Sequence, residues 1–234
     1  MAEAKVPPAP QLVTDAWMLY MGFKADPGAI RSLLPQEFEP HPDNVVVINL
    51  YTVPDASQTS GFGAYTLTYL TLQIKGHDAY TMGSNEGMPG RFWVGYFNSS
   101  EVVRSFTGSV GIPAEPGNTT LTKQGGKLKA VLEVGGRVFI EATADVGDEL
   151  QAPIGGHLNY FTKGKVKTNG SEVTQIVKFP IPYVSRPVRT ENATITFKMP
   201  ESHPLYPLKP ISVAWAAYVR GSFVYPQHQI IKQL

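Results

Sequence analysis

The chain has 234 residues, no cysteine and a formal net charge of +1, and only 17% of its residues are charged. The absence of cysteine excludes thiolate nucleophiles, thiolate metal sites and disulfides, and the absence of Lys/Arg-rich segments argues against a nucleic-acid partner. The sequence has no apolar run of membrane-spanning length and no signal-peptide pattern, so we expect no membrane association, no secretion and a cytoplasmic location.

The predicted elements begin after a polar, proline-rich stretch. We expect residues 1–13 to form a flexible N-terminal segment and residues 14–234 to form a single domain. The first predicted element is a helix that Asp26 caps, with Pro27 at its first position and Pro35 at its end. Strands are predicted at residues 45–53 and 64–75, and a second short helix is predicted at residues 99–110, capped by Ser99 or Ser100.

The clearest hairpin spans residues 127–146. Gly135 and Gly136 join its two strands as a pair that can adopt the positive φ angles of a tight turn. Apolar and polar residues alternate along the second strand, which indicates one buried face. Further strands are predicted at residues 157–167, 172–179, 193–199 and 211–225. The pattern predicts an α+β, mostly β domain, built as a barrel or as packed antiparallel sheets with a few short helices.

Common catalytic motifs give no direct answer. The five histidines lack metal-ligand spacing, and no nucleophile elbow, phosphate-binding loop or dinucleotide-binding motif is found in the sequence. We therefore expect neither a metal nor a cofactor. The low charged fraction indicates that part of the surface is covered, so we expect a homo-oligomer.

Six blocks between about residues 14 and 232 resemble, in order, the acetoacetate decarboxylase family. The resemblance implies the mostly β fold of that family, and the order of the blocks is more specific than any one of them. The blocks are DPGAIRSLLPQEFEP, SGFGAYTLT, SSEVVRSFTGSVGIPAEPGNTTL, VLEVGGRVFIEATADVG, HLNYFTKGKVKTNGSEVTQIV and HPLYPLKPISVAWAAYVRGSFVYP.

The same resemblance identifies four pocket positions. In the family, the first of two lysines after a proline forms a Schiff base with a β-keto acid, and the second lowers the pKa of the first by charge repulsion. The resemblance places Ala114 and Glu115 at these two positions. It places Leu67 at the pocket glutamate of the family and Ala16 at its substrate-guiding arginine. Schiff-base decarboxylation is therefore not expected.

Three of the four replacements are apolar, which favours a small hydrophobic, oxygenated organic substrate such as a polyketide-like secondary metabolite. The first hypothesis is an enzyme, a lyase or an isomerase or cyclase, that folds its substrate and places one acid or base. The alternatives are a non-catalytic binding protein, a structural subunit among active relatives, and a decayed relative that keeps only the fold. Conversion of substrate in molar excess over the protein separates an enzyme from a binding protein.

Glu115, Tyr218 and Arg220 are the candidate catalytic residues. Glu115 is the leading acid or base, because burial beside Ala114 and Leu67 would favour its protonated form. A surface glutamate in a proline-flanked loop fits the sequence equally well. Tyr218 can donate a hydrogen bond to a substrate carbonyl or belong to the core. Arg220 can stabilise an enolate, bind a carboxylate or form an interface ion pair.

Ala16, Tyr65, Leu67 and Ala114 are the candidate substrate-binding residues. Tyr65 can donate a hydrogen bond to a substrate carbonyl, although a buried tyrosine is more often part of the core. The three tryptophans, at positions 17, 93 and 215, are expected in the core or in the cavity wall.

Overall fold

The computed structural model describes residues 7–82, 87–168 and 171–234. Its helices are α1 (Pro27–Leu33) and α2 (Glu101–Gly108), with short 3-10 helices at Ala56–Gln58 and Tyr206–Leu208. Its strands are β1 (Gln11–Lys24), β2 (Val45–Val53), β3 (Tyr65–Ala79), β4 (Met88–Asn98), β5 (Ala114–Pro116), β6 (Asn118–Gln124), β7 (Lys127–Val134), β8 (Arg137–Val146), β9 (Ile154–Thr168), β10 (Ser171–Val188), β11 (Thr190–Phe197), β12 (Ser212–Tyr225) and β13 (Gln229–Gln233). Among these residues, no helix is both long and apolar enough to cross a lipid bilayer.

Seven strands close into a barrel. Their order is β12-β1-β2-β3-β4-β9-β10, and the pairing of β10 with β12 completes the ring. Neighbouring strands of the ring are antiparallel, except that β4 and β9 run parallel. The inner faces of the seven strands therefore enclose one space, and the predicted mostly β architecture is confirmed.

A second, four-stranded sheet packs on the outside of the barrel. Its order is β11-β8-β7-β6, and it shares one hydrophobic core with the outer faces of β1, β2 and β3. Ile140, Ala142 and Ala144 alternate along β8 and are buried in this core. The apolar face predicted for the hairpin is confirmed, and the predicted alternatives of barrel and packed sheets are both present in one fold.

Most of the predicted local signals are confirmed. The Asp26 carboxylate accepts the backbone N–H of Ala29 at 2.8 Å and caps α1, and Ser100 caps α2. Gly135 and Gly136 adopt φ angles of 57° and 74° in the hairpin turn. Strands β2, β3, β9, β10, β11 and β12 overlap the predicted strands.

The beginning of the chain differs from the prediction. The first element is the strand β1, not a helix, and it begins at Gln11, three residues before the expected domain start. Asp15 has a φ of 53° and lies in a β-bulge between Val13 and Ala16, so the strand has no regular alternation to recognise. Residues 1–6 lie outside the described residues.

One end of the barrel is closed by aromatic side chains beneath α2. The rings of Phe62 and Phe106 lie 5.1 Å apart, and Phe62 also packs edge-on against Tyr225 at 5.8 Å. Phe62 and Tyr225 are almost fully buried in the core that fills this end of the barrel. We call this region, from α2 to the last residues of β4, the closed end.

Two pairs of tyrosine hydroxyls lie inside the closed end. Tyr51 and Tyr65 are hydrogen-bonded at 3.0 Å, and Tyr96 and Tyr225 are hydrogen-bonded at 3.0 Å. Burial raises the pKa of Tyr51, Tyr65 and Tyr96 well above the usual value, and it raises the pKa of Tyr225 to about 12. The phenols satisfy one another by hydrogen bonding and remain neutral at physiological pH.

Two glycines hold the segment before β5 against β9. A Cβ placed on Gly164 would lie 2.2 Å from the Cα of Gly111, which is itself at a φ of 86°. The hydroxyl of Thr162 donates a hydrogen bond to the Gly111 carbonyl oxygen at 2.6 Å. The close approach of the two backbones therefore positions Ala114, three residues further along the chain.

We expect Gly164→Ala to lower the free energy of unfolding by about 1–3 kcal/mol, because the new methyl group meets backbone that cannot move aside. Gly108→Ala is the matched control, since a Cβ at Gly108 meets no atom within 4 Å and the residue ends a helix. Chemical denaturation of the two variants measures the difference. Equal stability of both variants would show that the two backbones are not packed as described.

We also expect the buried tyrosines to titrate only as the protein unfolds. Their folded-state pKa values lie above the value of about 10 of a tyrosine in an unfolded chain. Their contribution to the free energy of unfolding is therefore fully present below pH 10 and is lost as the pH rises towards 12. The tyrosinate absorbance of the buried tyrosines and the far-ultraviolet circular dichroism should therefore change together. Full tyrosinate formation near pH 10 with an intact fold would contradict the buried pairs.

Candidate functional site in the barrel

The four candidate substrate-binding residues meet at the closed end. Ala16, Tyr65 and Leu67 are at most 3% exposed, and Ala114 packs against the same core from β5. Strand β5 pairs in parallel with the end of β4, where Ala114 lies opposite Tyr96. The structure thus brings the four residues together, but side chains fill the space around them. None of the four lines either of the two cavities found inside the barrel.

Glu115 does not lie in this core. Ala114 packs against the barrel core, whereas Glu115 is exposed to solvent. Of the two alternatives for Glu115, the structure shows the surface glutamate, and burial beside Ala114 and Leu67 is wrong, because the two-residue period of a strand directs successive side chains to opposite sides.

Tyr218 and Arg220 lie on the outer face of β12. Tyr218 belongs to the core between the barrel and the second sheet, and its ring stacks on Trp17 at 4.8 Å. Burial raises the pKa of Tyr218 to about 12. Arg220 is exposed and forms an ion pair with Asp15 at 3.1 Å. The structure therefore does not bring these two candidate catalytic residues together with the candidate binding residues Tyr65 and Leu67, because Ala217 and Val219 of the same strand occupy the inner face instead.

An open cavity lies towards the other end of the barrel, and we call it the mouth cavity. It is found where β4 and β9 begin and β10 ends, and its volume is about 190 Å³. Its wall is mainly apolar and aromatic, with contributions from five strands of the barrel. The lining residues are Met18, Tyr20, Met88, Arg91, Ile154, Leu158, Tyr183, Val184, Ser185, Trp215, Ala217, Val219, Ser222 and Phe223.

A narrow inner cavity continues from the mouth cavity into the barrel. The two share Tyr20, Leu158, Tyr183 and Phe223, and the inner cavity has a volume of about 20 Å³. A space of this size holds about one water molecule or one small polar group. In the wall of the inner cavity, the hydroxyls of Tyr69 and Tyr160 are hydrogen-bonded to each other at 2.8 Å. Burial raises the pKa of Tyr69 well above its usual value, so this hydroxyl stays protonated.

Three buried polar side chains around these cavities keep an atom without a hydrogen-bond partner. These atoms are Nε of Arg91, Oδ1 of Asn49 and Nε1 of Trp93, and the three side chains are at most 4% exposed. Arg91 lines the mouth cavity, while Asn49 and Trp93 line the inner cavity. Buried donors and acceptors are nearly always paired in folded proteins, so these three atoms are available to water or to polar groups of a ligand.

Among the described residues that line the two cavities, Arg91 is the only charged one. Its Nη1 donates a hydrogen bond to the hydroxyl of Tyr160 at 3.3 Å, and its guanidinium lies 5.8 Å from the centre of that ring. Tyr20, on the opposite wall, has its pKa raised strongly by burial and is neutral. None of the ion pairs formed by described residues includes Arg91.

The tryptophans fit the sequence prediction. Trp93 is buried beside the inner cavity, and Trp215 forms part of the wall of the mouth cavity with 37% of its surface exposed. The indole of Trp215 covers Gly22 of the paired strand β1, where a Cβ would come within 2.3 Å of the indole Nε1. Glycine at position 22 therefore allows Trp215 to lie flat against β1.

Arg91 is the functional candidate that the sequence interpretation missed. It stands alone among apolar and aromatic residues in the segment MPGRFWVGYF, and a single charge inside such a run is the signal that could have identified it. The segment was not predicted as a strand, because Pro89, Gly90 and Gly95 interrupt the pattern. Within the described part of the chain, no three His, Asp or Glu side chains are grouped to hold a metal ion.

Comparisons with known proteins agree with this architecture. A solved structure of acetoacetate decarboxylase superposes with a TM-score of 0.77 at 15% identity, covering 97% of this chain and 91% of that one. The enduracididine biosynthesis enzyme MppR gives 0.72 at 14% identity, covering 99% and 91% of the two chains. An acetoacetate decarboxylase-like enzyme from Sphingomonas wittichii RW1 gives 0.67 at 12% identity, covering 98% and 96%.

A search of curated proteins finds no match. The family model described as acetoacetate decarboxylase (ADC) matches residues 2–233, which is nearly the whole sequence. The chain therefore belongs to the acetoacetate decarboxylase family.

Proposed function

We propose that this protein is an enzyme that binds an apolar, oxygenated small molecule in the mouth cavity and transforms it without a Schiff base. The observation that carries the proposal is the lining of that cavity, which combines apolar and aromatic walls with tyrosine hydroxyls and one guanidinium. An apolar pocket with a few polar groups is the usual form of a small-molecule site.

The absence of an amine among the described lining residues supports the proposal that the reaction does not pass through a Schiff base. No lysine is found among the described residues that line the two cavities. By the family resemblance, the position of the imine-forming lysine is taken by Ala114, whose methyl side chain has no nucleophile. MppR, a structural neighbour, is described in complex with a condensation product of pyruvate and imidazole 4-carboxaldehyde, and such chemistry differs from simple decarboxylation.

The lining favours some reactions over others. The described lining residues provide hydrogen-bond donors, the tyrosine hydroxyls and Arg91, but no Asp, Glu or His that could serve as a general base. Donors of this kind polarise a carbonyl and stabilise the negative charge that develops on its oxygen. A cyclisation in which the enol form of a 1,3-dicarbonyl substrate attacks a second carbonyl, with the enol O–H proton passing to the new hydroxyl, therefore fits the site better than an isomerisation that depends on a strong base.

A binding protein without turnover is the second candidate. The lack of a general base among the described lining residues favours this candidate, because polar contacts and apolar walls are sufficient for affinity.

A homo-oligomer also remains a prediction. It is consistent with Ile230 and Ile231, which are exposed on β13 at the edge of the sheet.

We expect the protein to convert members of a panel of 3,5-dioxo esters and acids in molar excess over the enzyme, with no imine. Borohydride added during turnover should leave the mass of the protein unchanged, and acetoacetate should not lose carbon dioxide. A borohydride-trapped adduct on any lysine, together with carbon dioxide release, would overturn the proposal. Binding without conversion across the panel would favour the binding protein.

We expect Ala217→Phe to weaken binding of the neutral probe 3-phenylpropanamide by at least about tenfold, because Ala217 lines the mouth cavity and the larger ring fills it. Isothermal titration calorimetry measures the affinity. Ala114→Phe is the matched control, since Ala114 lies at the closed end and outside both cavities. Loss of binding in Ala114→Phe but not in Ala217→Phe would place the site at the closed end.

A further inference from the structure

We propose that Arg91 is the binding site for a carboxylate group of the ligand, so that the protein takes small organic monocarboxylic acids with an apolar body. This inference rests on the proposed function, since it names the substrate class of the same cavity. It is carried by the position of Arg91 in the wall of the mouth cavity, where its Nη1 donates a hydrogen bond to Tyr160 of the inner cavity.

The guanidinium of Arg91 is buried, and this is the first observation that supports an anionic ligand. Arg91 is 4% exposed. Among the described residues, its side chain forms one hydrogen bond to another side chain, the hydroxyl of Tyr160 at 3.3 Å. Its Nε donates none. A charge buried without a counter-ion destabilises a folded protein, so side chains of this kind are found paired with an anion or retained for function. The described surroundings of Arg91 provide neutral phenols and no carboxylate.

The geometry of the side chain indicates the kind of anion. A guanidinium presents two parallel N–H groups that match the two oxygens of a carboxylate, and its Nε and one Nη form such a pair. Within the part of the chain that the structure describes, Arg91 is the single cation of the lining and no helix begins at the cavity. A phosphate dianion typically requires more positive charge than one arginine provides. One guanidinium in an apolar site therefore matches a monocarboxylate.

The rest of the cavity indicates where the ligand lies. The walls around Arg91 are built by side chains such as Met88, Leu158 and Trp215, and they fit an apolar or aromatic body. Deeper in the barrel, Asn49 offers an acceptor and Trp93 offers a donor, each without a partner. A hydroxyl or carbonyl group beyond the carboxylate can satisfy them. The ligand is then held by its charge at Arg91 and by its polar end in the inner cavity.

The test compares each acid with its neutral amide. Phenylacetate, 3-phenylpropanoate and hexanoate, and the three corresponding amides, are titrated into wild-type protein, Arg91→Met and Arg91→Lys. We expect the wild type to prefer acids over amides by roughly ten- to a hundredfold, the range of one charge-assisted contact. Arg91→Met should lose this preference, so that each acid binds no more tightly than its amide, while Arg91→Lys should keep part of it because lysine holds its charge without the fork.

Thermal unfolding separates this role from a structural one. Arg91→Met should unfold at the same temperature as the wild type or higher, because an uncompensated buried charge is removed. Glu86 lies outside the described residues, and Glu86→Gln tests whether a carboxylate of the chain itself neutralises Arg91. A rise in acid affinity on Glu86→Gln, or a marked loss of stability in Arg91→Met, would overturn the proposal.

The outcomes distinguish the two proposals. If the amides bind, Ala217→Phe blocks them, and the acids bind no more tightly, the cavity is the site but Arg91 does not select a carboxylate. The same conclusion follows if the preference for acids persists in Arg91→Met. If phenyl phosphate binds more tightly than every acid of the panel, the selected anion is a phosphate and the assignment to carboxylates is wrong. If neither acids nor amides bind, the mouth cavity is not a ligand site and both proposals fail.

Discussion

Closure of the barrel is the constraint on which the rest of the structure depends. Strand β10 pairs with β9 along its length and with β12 through residues 183–188, so seven strands return to their starting point. Every second side chain then points into one space, and that space must be filled or lined. The inward-facing residues determine both the stability of the barrel and its capacity for a ligand.

The two ends of this space are filled differently. At the closed end, tyrosine pairs and phenylalanine rings occupy the volume around Ala16, Leu67 and Ala114. Towards the mouth, methionine, alanine and valine side chains leave a cavity beside Arg91. Arg91 precedes Tyr96 on β4 by five residues, which is roughly 16.5 Å at about 3.3 Å per residue. Ala16, Leu67 and Ala114 thus lie at the opposite end of the barrel from the mouth cavity.

The sequence predicted the architecture well because its signals were local. Asp26 before Pro27, the glycine pair at 135 and 136, and the alternation along β8 each depend on a few neighbouring residues. The strands β1 and β4 were missed because a bulge at Asp15 and glycines at 90 and 95 break their periodicity. The positions taken from the resemblance remain a prediction; Ala16, Leu67 and Ala114 lie together in the structure, but sequence patterns do not show which side chains fill a core. Exposure of Glu115 and the outward direction of Tyr218 and Arg220 follow from strand register, which only the fold determines.

The most direct test of this account is a crystal structure of the protein with 3-(4-bromophenyl)propanoate, whose bromine is located by anomalous scattering. The account requires the carboxylate to lie within hydrogen-bonding distance of Arg91, with the bromine inside the barrel between Arg91 and Trp215. A ligand bound at the closed end beside Ala114 and Leu67, with Arg91 uncontacted, would contradict it.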